Sequence, residues 1–184
     1  MADVSARRVV LAEPGPHWVE FFKKEQSVLH EILGANLTEA HHIGSTSISG
    51  IRAKPTVDIM PVVKSLIGVD ERKQEFEKRG YLFRGEYGMA GRRYVVGLQP
   101  EGVNHRVHIH IFAEGHHEIA RHLAFRDYLR ANPATAKAYE ALKMELQRKF
   151  EADRQKYQDG KSEFCEGLLR KIMGAAYKPP APWT

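Results

Sequence analysis

The 184-residue sequence has only one cysteine, Cys165, and no apolar run near the roughly 20 residues that a membrane-spanning helix needs. A single cysteine excludes an intramolecular disulfide framework. The 28 Lys and Arg residues are scattered, without the dense basic arm or aromatic-interleaved patch that is typical of nucleic-acid binders. No charged-then-apolar leader precedes Val9. We therefore expect a cytoplasmic protein that binds neither membrane nor nucleic acid.

The composition that is present fits one folded domain. The chain is 28% charged and 42% hydrophobic, and its length is enough to bury a single core. We expect one domain over residues 1–184, with a sheet core at about 36–113 and C-terminal helices at about 118–176. The formal net charge of +5 favours an anionic small molecule as the partner. It says nothing about oligomeric state.

Apolar periodicity predicts an α+β fold, in which a mixed β-sheet is covered by helices and followed by a C-terminal helical extension. Strands are also predicted on both sides of a loop that begins at Gly44 and ends near Pro55. The other predicted strands cover 8–12, 81–84, 92–98 and 103–112, and the predicted helices cover 17–34, 70–79, 118–131, 134–157 and 162–176.

Alternation along two of these strands separates apolar from polar side chains. In the strand 103–112, His108 and His110 share one face, and the opposite face is aliphatic. In the strand after the loop, Val57 and Ile59 lie opposite the face that carries Asp58. We expect helices to cover the aliphatic face and to leave Asp58 and the two histidines on the other.

The stretch HHIGSTSISGIRAKPTVDIM, residues 41–60, is the most informative part of the chain. A strand that breaks at Gly44-Ser45 and enters a loop rich in hydroxyls presents N–H and O–H groups suited to phosphate or another anion. Fourteen residues later, Asp58 stands alone in an apolar strand, where a carboxylate is costly unless a cation meets it. A metal ion, Lys54 or an arginine could be that cation.

Several motifs in this order resemble the GrpB family, which is grouped with the nucleotidyltransferase superfamily. The resemblance covers nearly the whole chain. The matching residues are the run His42-Ile43-Gly44-Ser45-Thr46-Ser47, then Gly50, Ala53-Lys54-Pro55, Asp58-Ile59, Val107-His108-Ile109-His110, Phe125-Arg126-Asp127-Tyr128-Leu129-Arg130, Tyr139 and Leu142-Lys143.

The resemblance implies a nucleotidyltransferase-like fold and transfer of a nucleotidyl group from an NTP to a small acceptor. Gly44 and Ser45 match the superfamily's Gly-Ser, and Asp58 matches the first of its metal-binding carboxylates. Met60 stands where a second carboxylate belongs, and His108 and His110 replace a later acid. The catalytic assignments are Asp58 and Lys54. The nucleotide- or anion-binding assignments are His42, Gly44, Ser45, Thr46 and Ser47.

Asp58, His108 and His110 together form a candidate metal site. Two imidazoles and one carboxylate suit Zn²⁺, Mn²⁺ or Fe²⁺, whereas a methionine thioether is a poor ligand for the paired Mg²⁺ of the superfamily. If the two strands are neighbours, the three side chains can converge. The alternative is a pair of hydrogen-bonded sheet histidines without a metal.

The remaining cationic candidates are expected to have mainly structural roles. Lys54 is the exception, because its place at the strand entrance would let it pair with Asp58 or reach a ligand phosphate. Arg126 and Arg130 share one face of the predicted helix 118–131 and are expected to hold it to the sheet through ion pairs.

Two other functions remain open beside nucleotidyl transfer. The first is a non-catalytic nucleotide- or anion-binding or assembly module. It is credible because the resemblance implies that related domains occur fused to dephospho-CoA kinases. The second is a metal-dependent phosphate-ester hydrolase that uses Asp58, His108 and His110.

Overall fold

A computed structural model describes residues 8–98 and 105–179, with the backbone alone for His105. Within these residues, five strands and six α-helices follow one another. Their order is α1(His17–Leu33), β1(Leu37–Ile43), β2(Val57–Val63), α2(Leu66–Asp70), α3(Lys73–Lys78), β3(Tyr81–Phe83), β4(Arg92–Leu98), β5(His105–Ala113), α4(His117–Ala131), α5(Pro133–Lys149) and α6(Arg154–Met173).

The five strands form one mixed sheet in the order β1-β2-β5-β4-β3. The β2–β5 pair is parallel and the other pairs are antiparallel. Helices cover this sheet, and α4, α5 and α6 extend the domain at its C-terminal side. The predicted α+β class, mixed sheet and C-terminal helical extension are therefore confirmed.

One face of the sheet packs against α1, α2 and α3 to form the largest apolar cluster. Ile59 and Ile109 in the central strands are 0% exposed, and Phe76 of α3 is 0% exposed in the same cluster. Helix α1 presents Leu29 and Ile32 to it from one side, as its amphipathic spacing predicts. This face is the main core of the domain.

The C-terminal helices bury a second apolar cluster beneath the loop that follows Gly44. Ile48 and Ile51 of that loop pack with Leu129 of α4, Tyr139 of α5 and Leu168 of α6. The helical extension therefore packs directly on the segment that connects β1 to β2, and it fixes that segment's position. Among the described residues, no helix is both long and apolar enough to cross a membrane.

Several predicted boundaries differ from the structure. The predicted helix 70–79 is two short helices, because Ser65 caps α2 upstream of the predicted start and the chain turns at Glu71 and Arg72. The predicted strand 8–12 is reduced to one bridge between Ala12 and Ala53. The first residues of the predicted strand 103–112 lie outside the described residues.

The predicted boundary between the helices 134–157 and 162–176 is wrong. The break lies between Lys149 and Arg154, because the Asp153 side chain accepts a hydrogen bond from the Lys156 N–H and caps a new helix. Helix α6 then continues through Gly160. A Cβ at Gly160 would lie 2.4 Å from Leu146 Cδ2, so the glycine permits the close approach of α5 and α6.

Candidate metal and phosphate site

Asp58, His108 and His110 converge on the sheet face that lies opposite the main core. Parallel pairing of β2 with β5 places Asp58 directly beside His108 in register. His108 Nδ1 lies 3.1 Å from Asp58 Oδ1, and His110 Nε2 lies 3.8 Å from the same oxygen. Each residue offers one ligand atom, and these atoms all lie within 4.8 Å of one another. The convergence expected for neighbouring strands is thus present.

The protonation states of Asp58 and His110 suit metal binding. Burial tends to raise the Asp58 pKa, but hydrogen bonds from His108 and His110, together with their charges, hold it well below its usual range. Burial lowers the pKa of His110, against the opposing effect of Asp58. The carboxylate is therefore ionised and His110 is neutral near pH 7. Those are the forms in which carboxylate and imidazole bind a metal ion.

The donor set fits a divalent transition metal better than a magnesium pair. Two imidazole nitrogens and a carboxylate oxygen are donors that Zn²⁺ takes in proteins, at about 2.0–2.2 Å. Met60, where a second carboxylate is expected, is 0% exposed and packs with Ile43 and Phe112. A second hard cation would find no oxygen ligand at that position.

Aromatic and histidine side chains surround the triad. The Tyr94 ring centroid lies 5.1 Å from that of His110 and 5.7 Å from that of His108. His122 of α4 lies 5.9 Å from His110 between ring centroids, and its Nε2 is 3.5 Å from Glu118 Oε2. Burial holds the pKa of His122 well below its usual value. The position of His122 next to the triad was not predicted.

The Gly-Ser break brings backbone directly against the Asp58 carboxylate. Gly44 has φ of 69°, in the left-handed region that favours glycine, and a Cβ there would lie 2.4 Å from Asp58 Oδ2. A side chain at Gly44 would therefore displace the carboxylate. The loop and the triad form one continuous site.

Of the three hydroxyls after Gly44, two are engaged within the loop. Thr46 Oγ1 lies 2.9 Å from His42 Nε2, and the Ser47 hydroxyl donates to the Gly44 carbonyl at 2.7 Å. Ser45 instead lies beside the Tyr139 hydroxyl, where its hydrogen bond opposes the large rise in the Tyr139 pKa that burial causes. Ser45 is half-buried, and its hydroxyl reaches a ligand only by exchanging this contact with Tyr139.

His42 does not face the site, contrary to the prediction. It pairs with Ile59 across β1 and β2, so its ring points to the main core, whereas its neighbour Ile43 pairs with Asp58. The ring stacks on Phe22 of α1, with centroids 5.0 Å apart. Burial lowers the pKa of His42 to about 4. Its role is to hold Thr46 from beneath the loop.

Lys54 lies near the site but does not ion-pair with Asp58. Its ammonium nitrogen is 5.9 Å from the Tyr157 ring centroid. Burial lowers its pKa to about 8, and the nearby charges of Lys161 and Arg154 contribute, while Asp58 opposes the change. The imidazoles of the triad, and not Lys54, are therefore the groups that contact Asp58 in the described structure.

Arg126 and Arg130 of α4 bind backbone carbonyls instead of forming ion pairs with the sheet. Arg126 Nη1 donates to the His42 carbonyl at 3.2 Å, and Arg130 Nε donates to the Ser47 carbonyl at 2.9 Å. Arg126 also pairs with Asp127, at 2.7 Å. The expected tie between helix and sheet is present, but it acts through one backbone carbonyl of β1 and one of the Gly-Ser loop.

Helix α6 contributes functional candidates that the sequence analysis placed elsewhere. Arg154, Tyr157 and Lys161 follow one another at spacings of three and four, so they share one face of α6. The prediction assigned Lys161 to a connection between two helices and ended the preceding helix at Tyr157. A single helix starting at the Asp153 cap would have revealed the shared face.

The chain matches proteins of one family along most of its length. The sequence profile described as GrpB protein matches residues 8–171. A crystal structure of the conserved protein GrpB from Enterococcus faecalis superposes with a TM-score of 0.84 and 37% identity, covering 92% of this chain and 100% of that one.

Two curated relatives give the same family. The glutamate-rich protein GrpB of Alkalihalophilus pseudofirmus is 32% identical over 174 residues, which cover 94% of this chain and all of that protein. The UPF0157 protein YqkA of Bacillus subtilis is 38% identical over 160 residues, covering 87% of this chain. The match spans 46% of YqkA, so the chain corresponds to about half the length of that relative.

Proposed function

This chain belongs to the GrpB family, and from that premise we propose that it transfers a nucleotidyl group from a nucleoside triphosphate to a small acceptor at the Asp58 site. The observation that carries the proposal is the convergence of Asp58, His108 and His110 within 4.8 Å beside the Gly44 turn. A site that combines metal-ligand chemistry with a glycine turn suits a phosphate group that reacts on a metal ion.

Each group has a defined task in this proposal. Asp58, His108 and His110 would hold the metal, and a bound divalent ion would supply charge neutralisation at the reacting phosphate. Ser45 donates its hydroxyl to a phosphate oxygen, and Gly44 keeps the backbone close enough for that contact. Lys54 lies near the site, and its positive charge would compensate part of the negative charge of the phosphates.

Pyrophosphate release is the direct test of nucleotidyl transfer. Each of the four NTPs would be incubated with Mn²⁺, Zn²⁺ or Mg²⁺ and a pool of small hydroxyl and amine acceptors. We expect release of pyrophosphate that Asp58→Asn reduces by at least 100-fold, because the substitution removes the ligand charge and leaves the fold intact. Wild-type activity retained in Asp58→Asn would contradict the proposal.

Metal binding is tested separately by calorimetry with Zn²⁺ and Mn²⁺. The His108→Ala, His110→Ala double variant should lose binding, and the exposed-surface variant His30→Ala should bind as the wild type does. Equal binding by the double variant and the wild type would exclude the triad as the metal site.

The same assays separate the two other functions. The apolar setting of Met60 favours the non-catalytic binding module, since the superfamily's second carboxylate is replaced by a core residue. That module binds nucleotide without releasing pyrophosphate. The two-histidine, one-carboxylate set favours the phosphate-ester hydrolase. That enzyme releases orthophosphate from a phosphomonoester and needs no acceptor.

A further inference from the structure

Two lysine side chains lie against one buried tyrosine, and an arginine at the start of α6 acts on both of them. Lys161 Nζ lies 5.0 Å from the Tyr157 ring centroid and Lys54 Nζ lies 5.9 Å from it. Arg154 is the first residue of α6, one turn before Tyr157, and its charge acts on both lysines. Tyr157 is 1% exposed, and both ammonium groups lie against its ring. We call Lys54, Arg154 and Lys161 the cation wall.

The three positive charges of the cation wall repel one another, and no carboxylate in the described part of the chain offsets this repulsion through an ion pair. Throughout residues 8–98 and 105–179, no ion pair joins any of its three members to a carboxylate. The exposed Lys156 of the same helix, by contrast, is paired with Asp153 at 3.2 Å. Contact with the tyrosine ring offsets part of the repulsion, since cations are attracted to aromatic faces.

Two members of the cation wall interact electrostatically with the carboxylate of the metal-ligand triad. The negative charge of Asp58 acts on both Lys54 and Lys161, and it opposes the effect that burial has on each. The wall comes from two distant parts of the chain, the β1–β2 loop and α6. The fold therefore brings separate positive charges to one place beside a single carboxylate.

We propose that the cation wall binds a linear polyphosphate, the β- and γ-phosphates of the nucleoside triphosphate that reacts at Asp58. Several adjacent negative charges would remove the repulsion among three cations, which one orthophosphate can do only in part. Arg154 can grip phosphate oxygens with two N–H groups, and the lysines act as point charges. The assignment to a nucleotide rests on the function proposed above, whereas polyphosphate binding by itself does not.

Inorganic tripolyphosphate is the probe, titrated by calorimetry into the full chain with a chelator present so that no metal takes part. We expect Lys161→Met and Lys54→Met each to weaken tripolyphosphate binding by at least 10-fold. The matched control is Lys171→Met, which removes one exposed positive charge from the same helix and should change the affinity less than 2-fold. Orthophosphate should bind the wild type at least 10-fold more weakly than tripolyphosphate.

Three outcomes would overturn the proposal. They are no tripolyphosphate binding by the wild type, the same loss in Lys161→Met and Lys171→Met, and equal affinities for orthophosphate and tripolyphosphate. Lys161→Met relieves repulsion, so its melting temperature should equal or exceed that of the wild type, and Lys161→Arg should retain binding. A decrease in affinity that Lys161→Arg does not restore would also count against a charge-based role.

The two proposals can fail independently. The His108→Ala, His110→Ala variant should bind tripolyphosphate as the wild type does, because the wall contains neither histidine. If it does so while pyrophosphate release is absent from every NTP reaction, nucleotidyl transfer is wrong and the cation wall stands. If release depends on Asp58 but tripolyphosphate does not bind, the cation wall is wrong and the transfer reaction stands.

Discussion

The two faces of the central strands bury opposite kinds of side chain. In β5, Ile109 is 0% exposed within the main core, whereas the side chains of its neighbours His108 and His110 are 12% and 18% exposed. In β2, Ile59 is 0% exposed and the adjacent Asp58 side chain is 29% exposed. At these positions the two strands thus supply the main core on one face and the triad on the other, beside the smaller cluster of Met60 and Phe112, so stability and function can be altered separately there.

The two faces of the sheet also differ in the partners that their charged side chains have. On the core side Glu25 is 4% exposed, accepts a hydrogen bond from the Tyr81 hydroxyl at 2.6 Å and pairs with Arg106 at 3.6 Å. On the site side the three members of the cation wall have no such partner among the described residues. A closed network suits a structural role, and a set of cations without carboxylate partners suits a ligand.

Substitutions at neighbouring residues of β5 give the largest expected effect. Ile109→Ala should lower the free energy of unfolding by about 2–5 kcal/mol, because it leaves a cavity in a fully buried cluster. His108→Ala should lower it by less than about 1.5 kcal/mol, since Asp58 keeps His110 and partial exposure to water. Urea denaturation followed by circular dichroism measures both. Equal losses would mean that the two faces contribute equally to stability.

Acid should destabilise the protein partly through His42 on the core side. The pKa of His42 is about 4 in the folded chain, whereas an unfolded histidine titrates near 6.5. The unfolded chain therefore binds the proton first as pH falls. The contribution of His42 is complete above pH 6.5, declines as pH decreases and is lost below about 4, for a total of about 3 kcal/mol.

The variant His42→Asn tests this linkage, because asparagine can still bond Thr46 but does not titrate. Between pH 6.5 and pH 4, its unfolding free energy should depend on pH less steeply than that of the wild type, by up to about 1.4 kcal/mol per pH unit. The exposed His30→Asn variant is the control and should keep the wild-type slope. An unchanged slope in His42→Asn would show that other groups cause the acid loss.

Alanine substitutions at two glycines with positive φ distinguish the cost of backbone strain from the cost of contact with Asp58. Gly34 has φ of 53° and no atom within 4 Å of the position that a Cβ would take, so Gly34→Ala should cost about 1–2 kcal/mol. Gly44→Ala carries similar strain and also places a methyl group against Asp58, so it should cost about 1–3 kcal/mol more. It should also weaken Zn²⁺ binding, while Gly34→Ala should not. Thermal and urea denaturation measure both stability changes. Equal losses of stability in Gly34→Ala and Gly44→Ala would show that the close contact with Asp58 does not contribute.

The sequence predicted the triad because alternation along a strand is a local property. Side chains two apart in β5 share a face, so His108 and His110 could be assigned together, and Asp58 followed from its own strand. The error with His42 arose from register, which depends on which strand lies beside β1. Once His42 pairs with Ile59, its ring belongs to the core side. Adjacency in the motif could not reveal that.

The cation wall escaped prediction because Asp159-Gly160 resembles a helix end. Glycine is usually unfavourable within a helix, and a break there placed Lys161 in a connection. Tertiary packing overrides this preference, because Leu146 of α5 occupies the space beside Gly160. The face shared by Arg154, Tyr157 and Lys161 becomes visible only when α6 is continuous.

Two glycines of α6 give the smallest expected effect and test this explanation. Gly167 is exposed with no atom within 4 Å of a Cβ position, so Gly167→Ala should stabilise the protein by about 0.5–1 kcal/mol through helix propensity. Gly160→Ala gains the same propensity, but its methyl group would lie 2.4 Å from Leu146 Cδ2. We expect it to be about 1 kcal/mol or more less stable than Gly167→Ala.

The cause of that difference can be isolated with Leu146→Ala, which vacates the space that the new methyl group needs. Leu146 is 8% exposed, so its removal alone should be destabilising, but adding Gly160→Ala should then cost less than it does in the wild type, giving a favourable coupling in the double-mutant cycle. If contact between α5 and α6 also positions Lys161, tripolyphosphate binding should weaken in Gly160→Ala and remain unchanged in Gly167→Ala. Additive stability changes would show that Gly160 is not required by Leu146, and unchanged binding would show that the cation wall does not depend on this helix contact.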